Sequence, residues 1–181
     1  MLVTSEATSP RTTPEDTVDG AFAPMIQIDM EIADFLSAWP HCDYLSTYMA
    51  RMVSHNRSDS VLHSTLFSSA LNELLELSFR MRRLSGPLVC RVSRRDTVER
   101  VELTFRCAQE DRQLCEEAVA HSKAKEAQDR YLNSLSEDLV PSSAMMLREL
   151  AINYDAVLRI KADDGDTITL IADLPLEGLA N

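Results

Sequence analysis

Between Leu88 and Arg106 the chain alternates between two kinds of side chain. Leu88, Cys90 and Val92 are interleaved with Val89, Arg91 and Ser93, and Val101, Leu103 and Phe105 with Arg100, Glu102, Thr104 and Arg106. Successive strand residues point to opposite faces, so this period of two predicts a β-hairpin with one apolar face and one charged face. Such a sheet needs a cover on one side and tolerates water on the other. That narrows the fold to an α/β (α+β) two-layer sandwich. A second hairpin is expected further on, where Ala156, Leu158, Ile160 and Ala162 alternate with Arg159 and Lys161. Its turn falls in DDGD around Gly165, and Ile168, Leu170, Ala172 and Leu174 form the return strand. Joined together, the two hairpins give a mixed or antiparallel sheet with helices on one face.

The helices are signalled by apolar spacings of three and four. Leu45, Tyr48, Met49 and Met52 predict an amphipathic helix from Asp43, after a break at Pro40 and up to the polar run SHNRSD, where His55 and Asn56 suit a capping role. One long helix is expected from Leu62 to about Arg83. Leu62, Leu66, Ala70, Leu74 and Leu75 line its core side, Phe67, Leu71 and Leu77 widen it, and Gly86 and Pro87 stop it. Residues Gln109 to Ser136 read as one or two mostly solvated helices around Leu114, Ala118, Tyr131 and Leu135. Ser142 to Asn153 forms another, with Met146, Leu147, Leu150 and Ala151 inward. From Pro24 the run MIQIDMEIADFL predicts a strand leading into a short helical turn. Residues 1–23, rich in Ser, Thr, Pro and acids, predict a disordered tail before one folded domain at 24–181.

Composition narrows the function classes. With 181 residues and 45% hydrophobic content the chain can bury one core. Its longest apolar runs are far shorter than the roughly 20 residues a membrane span needs. The acidic, proline-containing start does not resemble a secretory signal, so a cytoplasmic protein is expected. Cys42, Cys90, Cys107 and Cys115 lack CxxC spacing, and His41, His55, His63 and His121 form no HxxxH or HExxH pair, so free thiols and no metal are expected. A net charge of -11 opposes attraction to nucleic acid or anionic lipid. Against that field, Arg80, Arg82, Arg83, Arg91, Arg94, Arg95, Arg100 and Arg106 outnumber Asp96, Glu99 and Glu102. The outer phase of the hairpin, with Arg91, Arg100 and Arg106, is either a solvated face or a docking surface for an acidic protein or a phosphate.

The segment SSALNELLELSFRM, Ser68 to Met81, resembles the N-box helix of the histidine-kinase-like (GHKL) ATPases, the superfamily of gyrase, sensor histidine kinases and mismatch-repair ATPases. The element order after Pro24 agrees with that fold. The nearest resemblance is to a bacterial branch of SiaB-like and anti-sigma-factor-like serine kinases. In active members a glutamate on this helix polarises the attacking group, and an asparagine one turn later holds magnesium against the nucleotide. Glu73 matches the glutamate, whereas Leu77 stands at the asparagine position. The glycine loops of the family are replaced by CAQEDR after the second strand of the first hairpin and by LVPSSAMML before the late helix, and the chain has four glycines, Gly20, Gly86, Gly165 and Gly178. The resemblance therefore implies a degenerate regulator that binds a signalling protein, with no cofactor expected. The alternatives are an active serine/threonine kinase using Mg-ATP, with Glu73 as general base, and a non-catalytic assembly subunit. A homodimer is compatible with each.

Overall fold

The structure is a computed structural model and describes residues 21–31, 40–81, 86–122, 143–162 and 165–177. Among the described residues the elements run, in chain order, β1 (Ala23–Glu31), α1 (Pro40–Ser54), α2 (Ser60–Met81), β2 (Pro87–Arg95), β3 (Val98–Arg106), α3 (Gln109–Ser122), α4 (Ser143–Asn153), β4 (Val157–Ala162) and β5 (Thr167–Leu174). Of the tail expected over residues 1–23, residues 1–20 lie outside the described residues, as do the helical residues expected between 123 and 136, and Ala23 already belongs to β1.

The five strands among the described residues are antiparallel neighbours in the order β1-β2-β3-β5-β4. Both expected hairpins are present, and β3 joins them by pairing Leu103 with Leu170 and Val101 with Ala172. The sheet is larger than two hairpins, because β1 pairs with β2, setting Ile28 against Cys90. Its period-two pattern of half-buried Ile26, Ile28 and Met30 explains that placement.

The inward row of the sheet, Leu88, Cys90, Val92, Val101, Leu103, Phe105, Leu158, Ile168, Leu170 and Ala172, is fully buried under the helices. Helix α2 supplies most of the cover through Phe67, Ala70, Leu71, Leu74, Leu75, Leu77 and Met81. It starts two residues earlier than its apolar spacing predicts, at Ser60, because the carbonyl of Asp59 accepts the first helical hydrogen bond, from His63 N–H. Asp155, at φ 49°, turns the chain out of α4 into β4 in the left-handed conformation that Asp tolerates.

Several residues lie elsewhere than their spacing suggests. Pro40 opens α1 rather than breaking the chain before it, as suits a residue whose fixed φ is helical and whose missing N–H would have no partner there. On α1 the core side is Cys42, Met49, Ala50 and Val53, whereas Tyr48 and Met52 face outward. Leu62 and Leu114 are exposed as well, and on α3 the buried positions are Cys115 and Ala118. Each of these helices carries enough apolar residues for two candidate faces, and packing selects one. All four cysteines are free and buried, and burial pushes the Cys90 thiol up to about 12.

Replacing Leu74 by Ala should cost about 2–5 kcal/mol in equilibrium urea unfolding, the usual range for a large-to-small change in a packed core. Leu62→Ala, one helix face away, should stay within about 0.5 kcal/mol of the parent chain.

Candidate functional site

Glu73 lies midway along α2, half-buried, with its carboxylate Oε1 accepting a 2.8 Å hydrogen bond from the Tyr154 hydroxyl at the end of α4. Burial raises its pKa above the ordinary carboxyl value. The Tyr154 hydrogen bond opposes that shift, and the nearby charges of Glu149 and Glu76 add to it. Tyr154 is itself raised, first by burial and then by the hydrogen bond to Glu73. Asn72 Nδ2 donates to Glu76 Oε1 at 2.9 Å along the helix surface. One turn beyond Glu73, Leu77 has no exposed surface and belongs to the core. Strand β3 passes into α3 through Cys107 and Ala108 alone.

The outer face of the sheet carries Arg91 on β2 and Arg100 and Arg106 on β3, as strand alternation requires. Arg91 and Arg100 come together at a shallow hollow of about 490 Å3, with Phe22, Met25 and Glu102 among its lining residues. Arg106 stands six residues along β3 from Arg100, roughly 20 Å away, and does not line it. None of the three is a bare cation. Arg100 makes a bidentate pair with Asp173 at 2.7 and 3.0 Å and lies 3.8 Å over the Phe22 ring. Arg159 reaches the same carboxylate, Arg106 pairs with Asp166 at 3.0 Å, and Arg91 donates to Gln27 Oε1 at 2.7 Å. Each arginine is thereby held in place, and the face as a whole is close to electrically balanced.

A third cluster lies where the sequence offers little signal. Glu99, at the inner side of the β3 start, has no exposed surface. Its Oε1 accepts from Arg94 Nε at 2.9 Å and lies 3.0 Å from His63 Nε2 and 3.8 Å from Arg57. Neither His63 Nε2 nor Glu99 Oε2 has a well-aligned hydrogen-bond partner among the described residues. The His63–Glu99 contact is thus one of proximity rather than of a directed bond. His63 Nδ1 shares a 2.7 Å hydrogen bond with Ser54, Arg57 grips Asp59 and Glu177, and Arg94 also donates to the Val53 carbonyl. Serine, histidine and glutamate stand in a row here, but Ser54 and His63 are buried to within 1–2% of their surface. The cluster ties the α1–α2 turn to the β2–β3 hairpin and to the chain after β5. His63 and Glu99 carry no spacing motif, so the one available clue was a lone Glu on the apolar phase of β3. His55 and Asn56 take no part in it.

Among the described residues no helix is long and apolar enough to cross a membrane, and no group of three His, Cys, Asp or Glu could hold a metal ion.

Two outcomes check this geometry. A carboxyl whose pKa is raised by folding contributes stability below its unfolded pKa and loses it as pH rises through the folded one. Glu73→Gln should therefore melt higher than the parent chain at neutral pH, with the difference vanishing as pH falls through the carboxylate range. Glu99→Ala should destabilise the fold by about 3–5 kcal/mol in chemical denaturation, since it leaves Arg94 without its carboxylate acceptor and removes the charge facing Arg57.

No family model, no curated protein and no solved structure matches this chain.

Proposed function

We propose that the chain is a degenerate member of the histidine-kinase-like ATPase fold, acting in bacterial signalling by binding a partner protein rather than by catalysis. The observation that carries this reading is Leu77. In the active pattern the residue one turn after the glutamate presents an amide to magnesium, and here it is a leucine sealed in the core. Two further features support it. Tyr154 occupies Glu73 Oε1, the atom that would act on an attacking group. The two-residue link from β3 to α3 leaves little backbone there for a loop that wraps a nucleotide.

With nucleotide chemistry set aside, the outer sheet face becomes the docking surface. Arg91 and Arg100 border its hollow and Arg106 extends it along β3. Their carboxylate and amide partners hold the guanidinium groups in fixed directions, which lowers the entropy cost of recognition by a partner with acidic or phosphorylated side chains. Within the cell such a regulator would work in the cytoplasm.

The alternative is a serine/threonine kinase that uses Mg-ATP, with Glu73 as general base. It requires Tyr154 to withdraw and magnesium to be held without an asparagine. Isothermal titration and thermal melting with Mg-ATP and ADP separate the two. No heat and no shift are expected, whereas a ligand at a hundred times its Kd would add about 2.7 kcal/mol of stability and overturn the degenerate reading. Arg91→Glu together with Arg106→Glu should leave the fold within about 0.5 kcal/mol while slowing association with the native partner and flattening its salt dependence. Unchanged association would leave the arginines a role in solubility alone.

A further inference from the structure

The hollow on the outer face of the sheet owes its shape to two arginines that lean apart. Ser93 on β2 stands directly opposite Arg100 on β3, and two residues along each strand Arg91 stands directly opposite Glu102. Asp173 draws Arg100 toward β5, whereas Arg91 turns toward β1, where its Nε donates to Gln27 Oε1 at 2.7 Å. Between them the small Ser93 leaves an opening of about 490 Å3, a volume within the usual range of small-molecule sites. Phe22, Pro24 and Met25 line it along β1 with apolar surface. The Phe22 ring is held by two guanidinium groups, Arg100 at 3.8 Å and Arg95 at 4.5 Å from its centroid, so this apolar lining is formed in advance.

The polar part of the hollow is an ion pair that is not made. Side chains directly opposite on antiparallel strands start from Cβ atoms roughly 5 Å apart, and opposite charges placed so ordinarily stabilise the sheet by pairing. Arg91 and Glu102 occupy such positions, yet Arg91 is committed to a neutral amide, and neither side chain has an ion-pair partner among the described residues. A guanidinium bonded through Nε keeps its terminal N–H donors, and the Glu102 carboxylate keeps its acceptor sites. Both side chains also line an adjoining hollow of about 230 Å3, so their charged ends are reached from two sides. The wider field narrows the ligand further. A net charge of -11 opposes a small anion, the arginines oppose a small cation, and a ligand with one charge of each sign meets neither barrier.

We propose that this hollow binds the zwitterion of an amino acid with an apolar side chain. The carboxylate accepts from the terminal N–H groups of Arg91, the ammonium donates to Glu102, and the side chain lies over Ser93 against Phe22 and Met25. Each protein charge then gains the partner that the sheet does not supply, and the ligand's own charges are met together. For a molecule of about ten non-hydrogen atoms on an open site, a Kd on the order of 0.1–1 mM follows. Such a site needs only the chain itself and stands whether or not a protein docks on the same face.

Isothermal titration of the full chain with L-leucine, L-methionine and L-phenylalanine tests it. Saturable binding of at least one is expected. Its N-acetyl derivative, which lacks the ammonium, and its amide, which lacks the carboxylate, should each bind about tenfold or more weakly, since each leaves one protein charge unanswered. Glu102→Gln should abolish the preference over the N-acetyl derivative, and Arg91→Gln the preference over the amide, both with an unchanged circular dichroism spectrum. A role in shape alone would move neither ratio. No heat from any of the three up to about 10 mM, well above the expected Kd, overturns the proposal. So do derivatives that bind as well as the parent amino acid, or variants that keep both preferences. Partner association is read separately, by the Arg91→Glu and Arg106→Glu exchange, so failure of one reading leaves the other to its own measurement.

Discussion

Glu99 is a carboxylate with no access to water at the start of the central strand, and an isolated charge there would be too costly for the fold to keep. Arg94 comes from the neighbouring strand, Arg57 and His63 from the turn and first turn that open α2, and Arg57 extends the link to Glu177 after β5. One buried charge thereby fixes how the helix pair meets the sheet. It also explains why the polar turn between α1 and α2 is not simply a solvated connection. Breaking such a cluster is costly even where its net contribution is small, because each remaining partner keeps its desolvation cost.

Around that anchor the sheet is one-sided. The inward row of β2, β3 and β5 is entirely apolar apart from the Arg94–Glu99 end, so α2 and its neighbours must lie on that side and the opposite face must stay wet. Three surfaces follow from this arrangement. The α2 face with Glu73 is closed by Tyr154, the outer sheet face presents Arg91, Arg100 and Arg106 among their acceptors, and the outer side of α1 is left with tyrosine and methionine in water.

The hairpins were legible because a period of two is a local property: neighbouring residues alone decide which side chains share a face. The long helix was legible for the same reason, and so was its core row from Phe67 to Leu77. The charge balance of the sheet face was not. Arg100 meets Asp173 from a strand 73 residues away, and Arg106 meets Asp166 across 60 residues. A count of arginines along the chain registers the cations and misses the carboxylates that strand pairing places beside them.

What the amino-acid order determined alone is the identity of the elements and the two faces of the sheet, since these rest on backbone geometry and on apolar spacing within ten or twenty residues. What only the tertiary structure decided is which of two apolar sides of α1 is buried, that His63 is drawn into the core, and that Tyr154 stands on Glu73. Each of these is a contact between residues far apart in sequence, selected by the volume and charge of the partner that packing delivers. Local spacing carries no information about that partner.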